Sequence, residues 1–402
     1  MSAVLQSVPP PDETIGIDHA DGPGCLARAH DLVHSVLIPA EHRLEGLERM
    51  PEDLTEALRQ AGLFCLSIPR CYGGLGLTME AQILVMLEVT RASAAFRSRF
   101  STTIGLGSQP ICYVATEAQR SAWLPGMASG SITAAFALTE PEYGSDASAI
   151  GTTATRDCGG YVISGTKRYI TNAPEAGVFV VIARTDPASR DARGLSAFIV
   201  PVDTEGLAVG PFDPKMGQDA APTSEVHFAS CRVPASSLIG GKEGGGLETA
   251  MRGINHARLH VAATCVGQAE RLIAESLSYT MSRVQFGVPI ASHQAAQIML
   301  ADSRAEAFAA RAMVLEAARH FDRLGATKEV IEEIACCKLF ASEMATRVAD
   351  RAVQMHGAAG YMRGTAVERL YRDVRLFRIF EGTSQIQQIL IARGMIGRHQ
   401  RV

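Results

Sequence analysis

The stretch SITAAFALTEPEYGSDASA, residues 131–149, lies where the character of the chain changes. Before it, from about Leu26 to Ser131, apolar residues recur at helical spacing, as in LTEALRQAGLFCLSIP at residues 54–69. After it, from Ile132 to about Val233, short β-branched runs such as VFVVIARTD alternate with turn-rich breaks such as CGGY and GLAVGPFDP. The stretch therefore predicts a boundary between a helical domain and a small β domain.

A third zone follows the glycine cluster GGKEGGG at residues 240–246, where apolar residues return to helical spacing. We therefore predict a mainly α protein with a β middle domain. The predicted divisions are a flexible tail at residues 1–25, an N-terminal helical domain at 26–131, a middle β domain at 132–238 and a C-terminal helical domain at 239–402.

Composition excludes several classes of function. The 402 residues include 38 Lys and Arg against 42 Asp and Glu, a formal charge of −4 with no basic block, which disfavours nucleic-acid binding. No apolar run approaches the roughly 20 residues that span a bilayer. The acidic, proline-containing start is unlike a targeting signal, so we expect a cytoplasmic protein. The nine cysteines form no CxxC pair or zinc spacing, and we expect buried thiols and no metal site.

Two segments of the β zone carry polar groups suited to a ligand. In AFALTEPEYGSDASA, a strand ends at Thr139, whose hydroxyl suits a planar heterocycle, and Ser145 in the following turn suits a phosphate. The alternative for this segment is a β-turn with a capping serine. In KRYITNAP, residues 167–174, period-two alternation predicts that Tyr169 and Thr171 share one face.

Two segments of the third zone are also candidates for ligand binding. SYTMSRVQFGVPIASHQ, residues 278–294, ends a helix at about Ser282 and places Arg283, Gln285 and Phe286 in the following turn. An arginine fork suits a pyrophosphate, although a solvated arginine near a helix end is an alternative. QMHGAAGYMRGTAVERLYRD, residues 354–373, holds glycines that let backbone approach a ligand. It follows a helix-like segment, not a strand, so it is not a Rossmann fingerprint.

These four segments and FEGTSQIQ, residues 380–387, together resemble the acyl-CoA dehydrogenase family, from about Leu26 to Gly397. The resemblance implies a helical N-terminal domain, a β-barrel-like middle domain and a C-terminal four-helix bundle, with FAD held between them. It also implies α,β-dehydrogenation of an acyl-CoA thioester to the 2-enoyl-CoA in a homotetramer. The electrons would pass to an electron-transferring flavoprotein.

The resemblance also assigns roles to individual residues. Glu381 would be the catalytic base, and its backbone N–H would bind the thioester oxygen. The residues implied at FAD, some of them at the FAD of a neighbouring subunit, are Phe136, Leu138, Thr139, Ser145, Tyr169, Thr171, Arg283, Gln285, Phe286, Gln294, Gln354, Gly357, Thr383 and Gln385. The residues implied at the substrate are Arg97, Ser98, Ser145, Asn255, Arg258 and Gly382.

The base needs a raised pKa, because a free glutamate, with a pKa of about 4.3, is too weak a base for a thioester α-carbon. The apolar neighbours Ile379 and Phe380 would raise the pKa of Glu381 by desolvation. Some members of the family take their base from the residue before the matching arginine, which here is Ala257, so Glu381 is the sole candidate. Without the other segments, Glu381 would be an acid at a helix N-terminus.

Alternative functions remain open at this stage. A flavin-dependent acyl-CoA oxidase or a related monooxygenase would use oxygen as the electron acceptor. The Arg97–Ser98 pair resembles the pair that holds the distal carboxylate in glutaryl-CoA dehydrogenases, which favours a dicarboxylyl-CoA substrate. Against this, Arg97 would be a surface arginine whose stem packs on its helix. A scaffold without cofactor is the third alternative.

Overall fold

The computed structural model describes residues 22–400, which form two helical regions around a β sheet. The first helical region opens with α1 at Gly22, so the last four residues of the predicted tail are helical, and residues 1–21 lie outside the described part. Its helices are α1 (Gly22–Leu32), α2 (Ile38–Ala40), α3 (Glu52–Gln60), α4 (Met79–Val89), α5 (Ala94–Ser101), α6 (Ser108–Val114) and α7 (Glu117–Ala128). Two π-helical segments, Val33–Leu37 and Thr102–Gly107, interrupt the series.

Seven strands form one curled sheet in the middle of the chain. They are β1 (Ala134–Ala137), β2 (Thr153–Asp157), β3 (Gly160–Thr171), β4 (Val178–Arg184), β5 (Leu195–Pro201), β6 (Leu207–Phe212) and β7 (Thr223–Pro234). The order is β1-β4-β2-β3-β7-β6, with β5 paired to β4. β1 pairs with β4 in parallel register, and Ala137 at the C-terminal end of β1 is buried.

One expectation about this zone was wrong. GLAVGPFDP was predicted as a turn-rich break, but it contains β6, which pairs in antiparallel register with β7. β6 is an edge strand, and its register shifts between Val209 and Phe212, where Gly210 and Pro211 lie. Because an edge strand needs only one partner, it tolerates the glycine and proline that would disrupt a central strand.

The second helical region contains the longest helices and a two-stranded hairpin. Its elements are α8 (Gly246–Ser282), β8 (Val284–Gln285), β9 (Val288–Pro289), α9 (Gln294–Leu324), α10 (Lys328–His356), α11 (Ala358–Tyr361), α12 (Ala366–Val374) and α13 (Ser384–His399). α8, α9 and α10 pack along one another, and α13 packs against α10. The prediction of a mainly α protein with a β middle domain is confirmed.

α8 connects the three regions. Its residues from Gly253 to Ala269 are all buried, and the helix contacts α4, α6 and α10 as well as β5. One cluster of buried apolar side chains contains residues of α8, such as Leu259. It also contains residues of the N-terminal helices, such as Phe96, and of the C-terminal helices, such as Val348. Because α8 contacts elements of all three regions, its buried residues lie in the interior of the molecule.

Among residues 22–400, no helix combines the length and hydropathy that a bilayer crossing requires. The eight cysteines from Cys65 to Cys337 are free thiols. The expectation that they are buried was wrong for Cys71 and Cys158, which are exposed.

Candidate active site

Glu381 lies in a tight turn between a 3₁₀ segment, Arg375–Arg378, and α13. Its backbone is left-handed, with φ of 54°, and Gly382 follows with φ of 89°. A Cβ on Gly382 would lie 2.7 Å from the Gln387 side-chain nitrogen, which would have to move, and the positive φ of this residue also favours glycine. Thr383 then caps α13 by accepting a hydrogen bond from Ile386 N (3.3 Å).

Three buried side chains hold the two carbonyl groups of this turn. Arg258 Nε donates to the Glu381 carbonyl at 2.9 Å, and Lys338 Nζ donates to the Gly382 carbonyl at 2.7 Å. Gln387 Nε2 donates to both carbonyls, at 3.1 and 3.0 Å. The left-handed backbone of a non-glycine residue is thereby compensated by interactions from α8, α10 and α13.

Arg258 and Asn255 form a buried pair on α8. Arg258 Nη1 donates to Asn255 Oδ1 at 2.9 Å, which confirms the shared helix face that the i, i+3 spacing predicts. The observed role of Arg258 is to position the backbone of Glu381. The implied contact of both residues with substrate stays a prediction.

Beside the turn is a cavity that elements from all three regions line. Glu381 and Phe380 line it together with Arg97 from α5, Thr171 from β3 and Ala257 from α8. Glu381 is the one carboxylate among the lining residues, and Arg97 and Lys215 are the cations. The residue types in the lining therefore provide one base, two positive charges and several hydroxyl groups.

The electrostatic setting of Glu381 favours proton uptake. Burial raises the pKa of its carboxyl group above the ordinary value, although the charges of Arg97, Arg258 and Lys338 oppose this effect. The raised pKa of Glu381 agrees with the sequence prediction, but only one of the two apolar neighbours contributes to its burial as predicted. Phe380 packs against the core, stacked on Phe377 at 5.9 Å, whereas Ile379 is half exposed and contributes little cover.

Arg97 is buried, with 5% of its surface exposed, so the interpretation as a surface arginine was wrong. Its guanidinium lies 5.9 Å from the Phe380 ring centroid, and its Nε has no hydrogen-bond partner among residues 22–400. Burial lowers its pKa to about 10, although the charge of Glu381 opposes this. The hydroxyl of Ser98, its neighbour, donates to Gln218 Oε1 at 3.0 Å. Arg97 is thus a buried cation facing the cavity of the candidate base.

The ends of β1 and β3 meet near this cavity. Arg168 N donates to the Thr139 carbonyl at 2.8 Å, which ties the segment after β1 to β3. Tyr169 is 63% exposed with φ of 59°, and the buried Ile170 separates it from Thr171. The pairing of β3 with β7 is irregular between Lys167 and Ile170, so a bulge interrupts the simple alternation that the sequence predicted.

The remaining predicted residues lie around this centre or away from it. Leu138 is buried, Phe136 is partly buried, and Ser145 and Gln385 are exposed. A separate group on the surface of the C-terminal region comprises Arg283, Gln285 and Phe286 in or next to the β8–β9 hairpin, Gln294 at the start of α9, and Gln354 and Gly357 at the end of α10. None of this second group lines the cavity of Glu381.

Sequence reasoning missed three buried polar residues at this site. Lys338 and Gln387 hold the turn, and Lys167 donates to Glu140 Oε1 at 2.8 Å behind the end of β1. A single lysine within the apolar stretch IACCKLFAS is a signal for Lys338, because an unpaired buried ammonium is costly. No comparable signal marks Gln387 in a helix that is rich in glutamine.

Comparison with known proteins identifies one protein family. Family models of the N-terminal, middle and C-terminal domains of acyl-CoA dehydrogenase match residues 25–131, 135–231 and 244–396. An acyl-CoA dehydrogenase of Bacillus subtilis (strain 168) is 38% identical over 368 residues, which cover 91% of this chain and 96% of the relative.

Solved structures with a similar fold include members of the same family. Butyryl-CoA dehydrogenase from Megasphaera elsdenii has a TM-score of 0.89 at 32% identity, covering 95% of this chain and 99% of that one. A chain from the study of the electron transferring flavoprotein of Acidaminococcus fermentans has a TM-score of 0.89 at 33% identity, with coverage of 95% and 99%. A glutaryl-CoA dehydrogenase from Mycobacterium smegmatis in complex with FADH2 has a TM-score of 0.87 at 27% identity, with coverage of 95% and 95%. Members of this family are oxidoreductases that act on CH–CH groups, and this chain belongs to the acyl-CoA dehydrogenase family.

Proposed function

We propose that this protein catalyses the FAD-dependent α,β-dehydrogenation of an acyl-CoA thioester to the 2-enoyl-CoA, with Glu381 as the base. The observation that carries the proposal is the position of Glu381 as the one carboxylate in a cavity that Thr171 also lines. A dehydrogenation of this type needs a single base at the α-carbon, and Ala257 offers none in the same lining.

The chemistry of the residues present fits FAD. The hydroxyl groups of Thr139 and Thr171 make no hydrogen bond to another residue within 22–400, so both are available to the edge of a planar heterocycle. The exposed ring of Tyr169, on the same strand as Thr171, offers a stacking surface. When bound, FAD supplies the acceptor for the β-hydride.

The chain itself supplies two further functions. Glu381 takes the α-proton, and its raised pKa makes it a stronger base than a solvated glutamate. The Glu381 N–H makes no hydrogen bond to a described backbone carbonyl, which leaves it available to the thioester oxygen. Its carbonyl, in contrast, is held by Arg258 and Gln387.

Replacement of Glu381 by glutamine tests this proposal. The amide keeps the shape of the side chain but cannot accept the proton, so the variant should retain FAD and bind acyl-CoA while flavin reduction falls by several orders of magnitude. Stopped-flow absorbance measures the reduction. Glu248→Gln, an exposed position on α8, is the matched control and should reduce normally. Near-normal reduction in Glu381→Gln would assign the base elsewhere.

We propose an electron-transferring flavoprotein as the acceptor, and the similarity to a chain from a study of such a flavoprotein supports this choice. Use of oxygen is the competing possibility. Anaerobic reduction with acyl-CoA followed by timed exposure to air distinguishes them. Slow reoxidation in air with fast reoxidation by the flavoprotein is the expected result, and fast reoxidation in air would favour an oxidase or a monooxygenase.

The buried guanidinium of Arg97 favours a substrate with a distal carboxylate. Arg97 lines the same cavity as Glu381 and lacks a partner for its Nε, so a plain alkyl end would leave it unpaired. A carboxylate at the acyl terminus would satisfy it with charge-assisted hydrogen bonds. The similarity to a glutaryl-CoA dehydrogenase supports the same substrate class.

Paired substrates of equal chain length test this specificity. Wild type should have a higher kcat/KM for the dicarboxylyl-CoA than for the straight-chain acyl-CoA, and Arg97→Met should remove the difference while Arg97→Lys retains part of it. A wild-type preference for the plain chain, or an unchanged ratio in Arg97→Met, would leave a general acyl-CoA dehydrogenase.

We also propose that Arg283 and Phe286 bind the FAD of a second subunit in a homotetramer. Phe286 is 94% exposed at the tip of the hairpin, and an apolar ring in this position is suited to contact with another chain. Light scattering should give a tetramer, and Arg283→Ala should retain less FAD than wild type after dialysis. A monomer, or unchanged FAD content, would contradict this part of the proposal.

A further inference from the structure

Three side chains converge on the outer face of the N-terminal region, away from the candidate active site. His30 Nδ1 lies 2.8 Å and His34 Nε2 lies 3.2 Å from the same carboxylate oxygen, Glu88 Oε1. The two imidazole centroids are 4.4 Å apart, with 53° between the ring planes. All three potential ligand atoms lie within 4.8 Å of one another.

Local structure explains this convergence. His30 is in the last turn of α1, and His34 lies in the π-helical segment that continues it, so the i, i+4 spacing places both rings on one face. α1 packs against α4, which presents Glu88 one residue before its end. Single-turn π segments in helices occur frequently at functional sites.

The charge around Glu88 orients its carboxylate. Arg91 Nη1 lies 3.9 Å from Glu88 Oε2, so the second oxygen faces a cation while Oε1 faces the histidines. The Glu88 side chain is 16% exposed, whereas those of His30 and His34 are 60% and 47% exposed. The group therefore has a partly buried carboxylate beneath two rings that solvent can reach.

The spacing suits a tetrahedral ion. Zinc bonds to imidazole nitrogen at about 2.0–2.1 Å and to carboxylate oxygen at about 2.0–2.2 Å, and a tetrahedron with such bonds separates its ligand atoms by roughly 3.3–3.5 Å. The two nitrogen–oxygen distances here, 2.8 and 3.2 Å, need to open only slightly, which exposed rings achieve by small rotations.

We propose that His30, His34 and Glu88 bind a divalent transition-metal ion of the zinc class, with water completing the coordination. Two neutral imidazoles and one carboxylate favour zinc over magnesium or calcium, which prefer all-oxygen ligands. A bound ion would join α1 to α4 and stabilise this contact, since an ion that binds only the folded state raises its stability. The competing interpretation is a pair of histidines that form hydrogen bonds with Glu88 and bind no ion.

His320 lacks the convergent geometry of His30, His34 and Glu88. His320 contacts two carboxylates, Glu333 at 2.7 Å through Nδ1 and Glu316 at 3.0 Å through Nε2. Because its two nitrogens point away from each other, they cannot share one ion. Within residues 22–400, the set of His30, His34 and Glu88 is the one group of histidine, cysteine or acidic residues with this convergent geometry.

The experiment is calorimetric titration of the chelator-treated, FAD-loaded protein with ZnCl₂ and with MgCl₂, in wild type, His34→Ala, Glu88→Gln and His320→Ala. Wild type and His320→Ala should bind the same number of zinc ions. Each of the two site variants should bind one fewer, or should bind that ion more than about tenfold more weakly, since loss of an outer-shell partner alone costs 10- to 100-fold in metal affinity. Magnesium should produce no binding heat at this site. Zinc should also raise the melting temperature of wild type more than that of His34→Ala.

Two results would overturn the proposal. One is equal zinc stoichiometry and affinity in wild type, His34→Ala and Glu88→Gln, which would place any bound zinc on other groups, such as the exposed thiols of Cys71 and Cys158. The other is absence of zinc binding to wild type, which would leave the histidines as hydrogen-bond partners of Glu88. Since the three residues lie outside the cavity of Glu381, neither result affects the proposed dehydrogenation.

Discussion

At the scale of single residues, the decisive feature is the left-handed backbone of Glu381. A non-glycine residue in this conformation costs of order 1–3 kcal/mol and persists only where its surroundings hold it. Arg258, Lys338 and Gln387 donate hydrogen bonds to the carbonyl groups of Glu381 and Gly382. The turn directs the carboxylate into the cavity while its N–H stays free of backbone partners.

The first prediction concerns Lys338. Its ammonium group is one of three charges that lower the pKa of Glu381, so Lys338→Met should raise that pKa. Because Glu381 acts as a base only when ionised, the acidic limb of the pH profile for flavin reduction should move to higher pH. Single-turnover reduction between about pH 5 and 9 measures the shift. Lys328→Met, at the start of α10, is the control and should leave the limb in place. An unmoved limb in Lys338→Met would limit Lys338 to its hydrogen bond with the Gly382 carbonyl.

At the scale of elements, a buried ion pair supports the end of β1. Lys167 Nζ donates to Glu140 Oε1 at 2.8 Å and to the Leu138 carbonyl at 3.0 Å. Glu140 also accepts hydrogen bonds from the backbone N–H groups of Gly151 and Thr152. Burial lowers the pKa of Lys167 to about 8, and this pair connects β1, β3 and the segment before β2 directly behind Thr139.

The second prediction concerns this pair. Glu140→Gln leaves the buried ammonium of Lys167 without a counter-charge, which typically costs roughly 3–5 kcal/mol. We expect a lower melting temperature and less retained FAD, because the segment that carries Thr139 loses its support. Thermal unfolding and the flavin absorbance after dialysis measure the two effects. Glu142→Gln in the exposed turn is the control. Wild-type stability in Glu140→Gln would mean that the hydrogen bonds alone hold this element.

At the scale of the whole molecule, a buried polar network joins the three regions. Asp373 on α12 accepts from Ser93 Oγ at 3.0 Å and from the backbone N–H of Gln218 in the middle domain. On the same helix, Arg369 donates to Glu41 at 2.7 Å. Burial raises the pKa of Asp373 to about 6, although its hydrogen bonds oppose this shift. The three regions are therefore joined at a buried carboxyl group whose pKa is raised by burial.

The third prediction is a pH dependence of stability. The pKa of Asp373 is higher in the folded state than the ordinary 3.8, so its contribution is fully present below about pH 4 and is lost as the pH rises through about 6. Asp373→Asn removes this titration while it keeps an oxygen for Gln218 N. The melting temperature of the variant relative to wild type should therefore increase between pH 4 and 7. A constant difference across this range would show that Asp373 titrates normally.

The sequence by itself determined the order of the three regions and most of the strands, because these features depend on periodicity and on neighbours within a few residues, which a sequence displays directly. Glu381 was identified as the candidate base only through the resemblance to a known family, since its own segment is equally typical of an acid at a helix N-terminus. The edge strand β6 was missed because Gly210 and Pro211 resemble a turn, and only its pairing with β7 identifies it.

Only the tertiary structure decided the burial of Arg97 and the partners of Glu381 and Asp373. Arg258 and Glu381 are 123 residues apart in the chain, and Ser93 and Asp373 are 280 apart. Arg97 is exposed or buried according to what packs on α5, and that packing comes from α4, from α8 and, at Arg97 itself, from Phe380 beside Glu381. A polar side chain has the same local pattern whether it faces solvent or a buried partner. Its role is therefore fixed by long-range packing, because the cost of burying a charge depends on the groups that surround it in three dimensions.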